Sequence, residues 1–243
     1  MLKERQKSIL EATISEHLRT ARPVASQELA HCFGLKAGPA TVRNEMLKLD
    51  KLGYLEQPHT SAGRIPTDKG YRFFVDNLLT ETNLREMEKK TIRKIFIDLD
   101  NKEEFIKELS KIIAYFTGSL AGTGIFGENI FYESGLAEVL REPEFQEAEY
   151  IQQFGQLVDN LEENLQEFLT GQNFNLEEIF IGRENPFKEA RNCTMIISSW
   201  EHPQGFKGFI SLVGPKRTDY CKKISLTRYL KTSWQTKLKK KTD

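Results

Sequence analysis

The sequence predicts an α+β protein of more than one unit, and three observations predict it. Apolar residues recur at helical spacing through residues 3–52. A short strand, a polar loop and a second helix start interrupt that pattern between Tyr54 and Thr67. Strand-like apolar runs bounded by turn residues then return late, after residue 177. The 243 residues, 39% of them hydrophobic, suffice for two cores. The expected divisions are 1–79, a helical linker or dimerisation region at 80–118, and 119–243.

The first helix, Lys3 to Thr20, places Ile9, Leu10, Ile14 and Leu18 on one face. Pro23 stops it, and Arg22-Pro23-Val24 reads as an extended connection. Ser26 stands where an N-cap belongs, its hydroxyl also available to a phosphate, and Gln27 to Phe33 form a short helix that Gly34 ends. After the turn Gly34-Leu35-Lys36-Ala37-Gly38, Pro39 takes the first helical position, where its missing N–H costs nothing. The helix from Pro39 to Leu52 buries Val42, Met46 and Leu49, leaving Thr41, Arg43, Asn44, Lys48 and Lys51 around the rest. Gly53 closes it and Tyr54-Leu55-Glu56 gives a short strand. The loop QPHTSAGRIP follows, with His59, Thr60 and Ser61 before a Gly-adjacent Arg64 at the expected hairpin tip. Thr67 caps a helix whose Tyr71, Phe73, Phe74 and Val75 anchor the hairpin.

Two short helices followed by a basic hairpin are the sequence form of a winged helix-turn-helix. Such a module lays its second helix in the DNA major groove and its wing along the backbone. Arg43 and Asn44 suit base edges, since Arg forks to guanine and Asn to adenine. His59, Thr60, Ser61 and Arg64 suit the phosphate backbone. Each of these is also an ordinary solvated surface residue, so the helix-turn-helix context carries the reading.

Beyond residue 80 the pattern is helical, then mixed. Leu84, Met87, Thr91, Ile95 and Leu99 fall on one stripe, and Phe105, Leu109, Ile112 and Phe116 on a second, with a break at Asp98 to Lys102. Dimer contact and internal packing explain the stripes equally. Thr117 to Gly127 holds four of the sixteen glycines and reads as a flexible joint without a phosphate-loop pattern. Phe145, Ile151, Phe154, Val158, Leu161, Leu165 and Leu169 indicate further helices. Three strand candidates follow at Glu178 to Gly182, Thr194 to Trp200 and Phe206 to Val213, the last two joined by a turn with Pro203 and Gly205. A final helix carries Tyr220, Ile224, Leu230 and Trp234 and ends in the basic tail KLKKKTD.

Composition excludes several classes. Cys32, Cys193 and Cys221 are odd in number and far apart, and His17, His31, His59 and His202 are scattered, so no disulfide framework, metal site or cofactor is expected. No apolar run approaches membrane-spanning length and the amphipathic N-terminus is no signal peptide, so no membrane association and a cytoplasmic location are expected. The net charge of zero hides a segregation. Residues 1–75 carry 12 Lys/Arg against 8 Asp/Glu, residues 128–190 carry 3 against 15, and residues 191–243 carry 12 against 3. The head is thus compatible with phosphate contact, and the acidic block faces water or a basic partner.

The runs KERQKSILEATISEHLRTARPVASQELA and GPATVRNEMLKLDKLGYLEQPHTSAGRIPTDKGYRFFVD closely resemble the heat-inducible transcription repressors of the HrcA family. A looser likeness follows in order through GENI, PEF, IGREN and GPKRTDY. The resemblance implies repression of chaperone genes by a homodimer on double-stranded DNA, at an inverted-repeat operator, with activity modulated by a chaperonin. It also implies a C-terminal GAF-like fold interrupted by a dimerising insertion; here the segment between the helical region and GENIFYES is much shorter than in typical members, and the early sheet strands are expected to be missing. Only three strand candidates remain where such a sheet needs five or six, so a reduced GAF-like domain is expected, its sheet completed by a second chain or replaced by helices.

The functional expectation is therefore a sequence-specific DNA-binding repressor. DNA contact is assigned to Ser26, Thr41, Arg43, Asn44, Lys48, His59, Thr60, Ser61 and Arg64. The alternative is a winged-helix adaptor that binds protein through its acidic block without specific DNA binding. An enzyme is not expected, because no nucleophile, metal or nucleotide pattern is present.

Overall fold

A computed structural model of the chain describes residues 2–32, 37–80, 82–99, 101–170 and 176–232. The expected turn residues Phe33, Gly34, Leu35 and Lys36, together with Trp234 and the basic tail, lie outside the described residues. The chain divides into residues 1–80 with 216–218, and residues 81–215 with 219–243.

The first unit runs α1 (Glu4–Thr20), α2 (Ser26–Cys32), α3 (Pro39–Lys51), β1 (Leu55–Glu56), β2 (Ile65–Pro66) and α4 (Asp68–Asn77). Its core joins Ile9, Leu10 and Ile14 of α1 to Leu29, to Val42, Met46 and Leu49 of α3, and to Tyr71 and Phe74 of α4, all buried. Gly53 adopts φ 77°, the left-handed conformation that lets the chain leave α3 and enter β1. Thr67 caps α4 as expected, its hydroxyl accepting from Gly70 N at 3.1 Å. Lys216 and Arg217 belong to this unit, where Lys216 pairs with Asp68 at 2.7 Å and Arg217 donates to the Leu18 carbonyl at 3.1 Å.

The second unit is a five-stranded antiparallel sheet with helices on both faces. Its helices are α5 (Glu86–Asp98), α6 (Lys102–Thr117), α7 (Leu136–Val139), α8 (Ala148–Asp159), α9 (Leu161–Leu169) and α10 (Tyr220–Thr232). Its strands are β3 (Leu120–Ile125), β4 (Phe131–Ser134), β5 (Glu177–Ile181), β6 (Cys193–Glu201) and β7 (Lys207–Pro215), in the order β4-β3-β7-β6-β5. Alternation along β6 divides the core. Met195 and Ile197 join Phe154, Leu157, Leu161 and Leu165 of α8 and α9. Thr194 and Trp200 face the other way, where Thr194 Oγ1 meets Tyr220 Oη of α10 at 2.8 Å and Trp200 meets Phe96 and Phe105.

Three expectations need correction here. The glycine-rich stretch is no joint, because its residues 120–125 are the fully buried strand β3, paired on both sides. Gly122 and Gly124 fall on one face of it, and a Cβ there would stand 2.8 Å from the Phe131 ring and 2.6 Å from the Phe209 ring. The missing side chains make the slot those rings fill. The sheet therefore has five strands within one chain, so neither a second chain nor helices need complete it.

The second correction concerns the face of α5, which with α6 falls in the second unit. Phe105 is fully buried, with ring centroids 4.9 Å from Phe96, 5.3 Å from Trp200 and 4.8 Å from His202. The buried stripe of α5 is also turned from the expected one. Glu88, Ile92, Ile95 and Phe96 face inward, whereas Met87 is 65% exposed. Glu88 is inside because it is paired: its carboxylate accepts from Arg85 N at 2.9 Å and lies 3.2 Å from Lys222. Burial pushes its pKa up, but these partners outweigh it and hold the carboxyl below its usual value.

Third, Ser26 is the first helical residue and not the cap of α2. Leu29 N donates to the Ala25 carbonyl, and Ala25 N donates to the Glu28 carboxylate at 3.3 Å. Ala25 therefore occupies the cap position.

Candidate nucleic-acid interface

The period of α3 sorts its side chains. Val42, Met46 and Leu49 are buried, while Ala40, Thr41, Arg43, Asn44, Leu47, Lys48 and Lys51 are exposed. Pro39 at the first helical position and Gly38 before it set where this face begins. Among the described residues, the side chains of Thr41, Arg43 and Asn44 make no hydrogen bond or ion pair within the protein. Lys48 is engaged, pairing with Glu45 at 2.6 Å. The Lys48 hydrogen bond holds the Glu45 carboxyl below its usual range despite partial burial, with the Lys48 charge, Gln6 and Arg5 acting in the same direction. Arg43 and Asn44 thus keep all their donors for an external acceptor.

The wing is built from the strand pair Leu55↔Pro66 and Glu56↔Ile65. Its tip, with His59, Thr60 and Ser61, is exposed. The Gln57 side-chain amide crosses the loop and donates to the carbonyls of Thr60 at 3.1 Å and Ala62 at 2.8 Å, so the tip is pinned from inside. At the base, Val24 and Arg64 exchange two backbone hydrogen bonds of 2.9 Å each. The extended Arg22-Pro23-Val24 connection therefore serves as a third, one-residue strand. Gly63 permits that approach, since a Cβ there would lie 2.3 Å from the Val24 carbonyl oxygen. Gly63→Ala is expected to cost about 1–3 kcal/mol, the usual penalty of forcing atoms into an occupied space. Chemical denaturation checks this, and an unchanged midpoint would show that the wing base yields freely.

Arg64 departs from expectation. It is only 8% exposed and is not at the tip, and its Nε donates to Asp50 Oδ2 of α3 at 3.0 Å. The pair ties the wing to the helix it flanks. Arg64 thus braces the wing through its Nε, and its substitution is expected to act on wing geometry. Asp50 and Gln57, which set this geometry, escaped the sequence reading. Their partners lie across a turn or fourteen residues away, and residue type alone signals neither. Ser26 is partly exposed as the first of the seven residues of α2, available to a phosphate. No group of three or more His, Cys, Asp or Glu side chains among the described residues is arranged to hold a metal ion. No helix among them is long and apolar enough to cross a membrane.

Two family models match the chain. Residues 1–78 match the winged helix-turn-helix transcription repressor, HrcA DNA-binding, and residues 68–224 match the HrcA protein C terminal domain. A heat-inducible transcription repressor HrcA of Carboxydothermus hydrogenoformans is 25% identical, covering 95% of this chain and 96% of that protein. Its alignment runs over 330 positions against 243 residues here, so that relative carries residues with no counterpart in this chain. The HrcA proteins of Desulforudis audaxviator and Chloroflexus aggregans are 46% and 53% identical over 110 and 95 residues, and the matches span only 30% and 25% of those proteins. A crystal structure of a protein described as hypothetical superposes with a TM-score of 0.78 at 20% identity, covering 95% of this chain and 96% of that one. That likeness speaks for the fold alone.

Proposed function

This chain belongs to the HrcA family, and on that premise we propose that it is a sequence-specific DNA-binding repressor of chaperone genes that acts in the cytoplasm. One observation carries the proposal. The exposed face of α3 presents Thr41, Arg43 and Asn44 with no internal partner among the described residues, in the same unit as an exposed wing tip. In this reading α3 enters the major groove, where Arg43 and Asn44 meet base edges and Thr41 and Lys48 flank them. His59, Thr60 and Ser61 lie along the sugar-phosphate backbone, and Ser26 meets a phosphate beside it.

Repression works by occlusion. Two chains occupy the half-sites of an inverted-repeat operator and exclude the transcription machinery. Support for the dimer is the symmetry argument, since an inverted repeat is read by copies related by a two-fold axis. Support for chaperonin modulation is family membership, which couples repression to the load of unfolded protein. The five-stranded sheet with helices on both faces is compatible with a GAF-like control domain.

The test is selection of duplexes from a random-sequence pool by the full chain, followed by titration across salt. A selected inverted repeat is expected to bind about 10³-fold or more tighter than its scrambled counterpart. Affinity should fall steeply as salt rises, because each neutralised phosphate releases counterions. An absence of enriched sequence would sink the proposal in favour of a protein-binding adaptor.

A further inference from the structure

We propose that Leu47 is a specificity-determining residue that reads a thymine through its C5-methyl group. This rests on the reading of α3 as the helix that enters the major groove. Leu47 is 40% exposed on the outer face of α3. Isolated exposed leucines are ordinary on protein surfaces, so exposure alone decides nothing. Position decides it. Residues one heptad apart on a helix differ by only about 20° in direction, so Leu47 and Ala40 share nearly one line along α3. At about 100° per residue, Arg43 falls to one side of that line and Asn44 to the other. Arg43 and Asn44, both without an internal partner among the described residues, thus straddle an apolar centre, and Lys48 and Lys51 follow on the same exposed face.

A helix that enters the groove on this face brings its centre line closest to the base edges. Leu47 cannot accept or donate a hydrogen bond, and a base edge opposite it that needs one would be left unpaired. Among the four bases only thymine offers an apolar group in the major groove, its C5-methyl. Leu47 lies three residues beyond Asn44 and four beyond Arg43, about 4.5–6 Å along the helix axis. Against a base-pair rise of about 3.4 Å, this places the thymine one or two base pairs from those read by Arg43 and Asn44. The arrangement gives specificity by exclusion as well as by contact.

The experiment uses the full chain and the tightest duplex it recovers from a random-sequence pool. Each thymine of one half-site is replaced in turn by deoxyuridine, which removes the methyl group alone. At one position this is expected to weaken the wild-type chain about fourfold, the worth of burying one methyl group. Leu47→Ala should lose that sensitivity, while Arg43→Ala, weaker overall, should keep it. Because Leu47 is exposed, the thermal midpoint of Leu47→Ala is expected to match the wild type. A duplex in which no deoxyuridine distinguishes wild type from Leu47→Ala would overturn the assignment and leave DNA reading by α3 intact. Failure to recover any enriched duplex would instead overturn the DNA reading, and this assignment with it.

Discussion

Arg43→Ala is expected to cost about 1–3 kcal/mol for each half-site engaged, the value of a bidentate contact between Arg and guanine. With both halves of an inverted repeat occupied, the loss on operator doubles, to about 2–6 kcal/mol by the same estimate. On scrambled duplex the loss should be much smaller, since only a general charge contribution goes. The specificity ratio therefore falls, and it falls most at the base pair that Arg43 reads. Stability should not change, because the Arg43 side chain has no internal bond among the described residues to lose. Competition binding between operator and scrambled duplex measures the ratio directly. A ratio equal to that of the wild type would remove Arg43 from base reading and shift the weight to Asn44 and Thr41.

Phe105→Ala is expected to destabilise the second unit by about 3–5 kcal/mol, as a large aromatic lost from a closed core does. Phe105 is wholly buried and edge-packed on Phe96, Trp200, His202 and Phe206. The cavity would open beside Trp200, which is fully buried and reports its surroundings by fluorescence during urea unfolding. The result also separates two roles for residues 80–118. As part of a core they transmit the substitution to the sheet; as a free helical linker they would not, and a loss below about 1 kcal/mol would favour the linker.

Much of the fold was legible because it is written locally. The Pro39 start and Gly53 end of α3, the Thr67 cap and the hairpin between β6 and β7 each depend on residues within a turn of one another. The inward face of α3 also follows from spacing, as Val42, Met46 and Leu49 show. The stripe of α5 was misread for a different reason. Met87 is the more apolar residue, but Glu88 goes inside because Lys222 of α10 and the Arg85 amide satisfy its charge. The glycines of β3 were misread because composition cannot distinguish a flexible joint from a strand face on which rings lie.

The candidate site divides the same way. Thr41, Arg43 and Asn44 were legible as an exposed polar edge of a helix, and the exposed His59, Thr60 and Ser61 as a turn between two short strands. Arg64 was not, since a basic residue beside glycine looks alike whether it is free or held by Asp50.

By itself, the sequence determined the family, the winged-helix unit and the outward set of α3, all of which rest on chain-local spacing and recognisable runs. Only the tertiary structure decided that residues 120–125 are the second strand of a five-stranded sheet, that Phe105 closes its core, and that Arg64 braces the wing. The physical reason is range. A helix face is set by residues three and four apart, whereas a slot over glycine or a buried ion pair exists only when its far partner arrives.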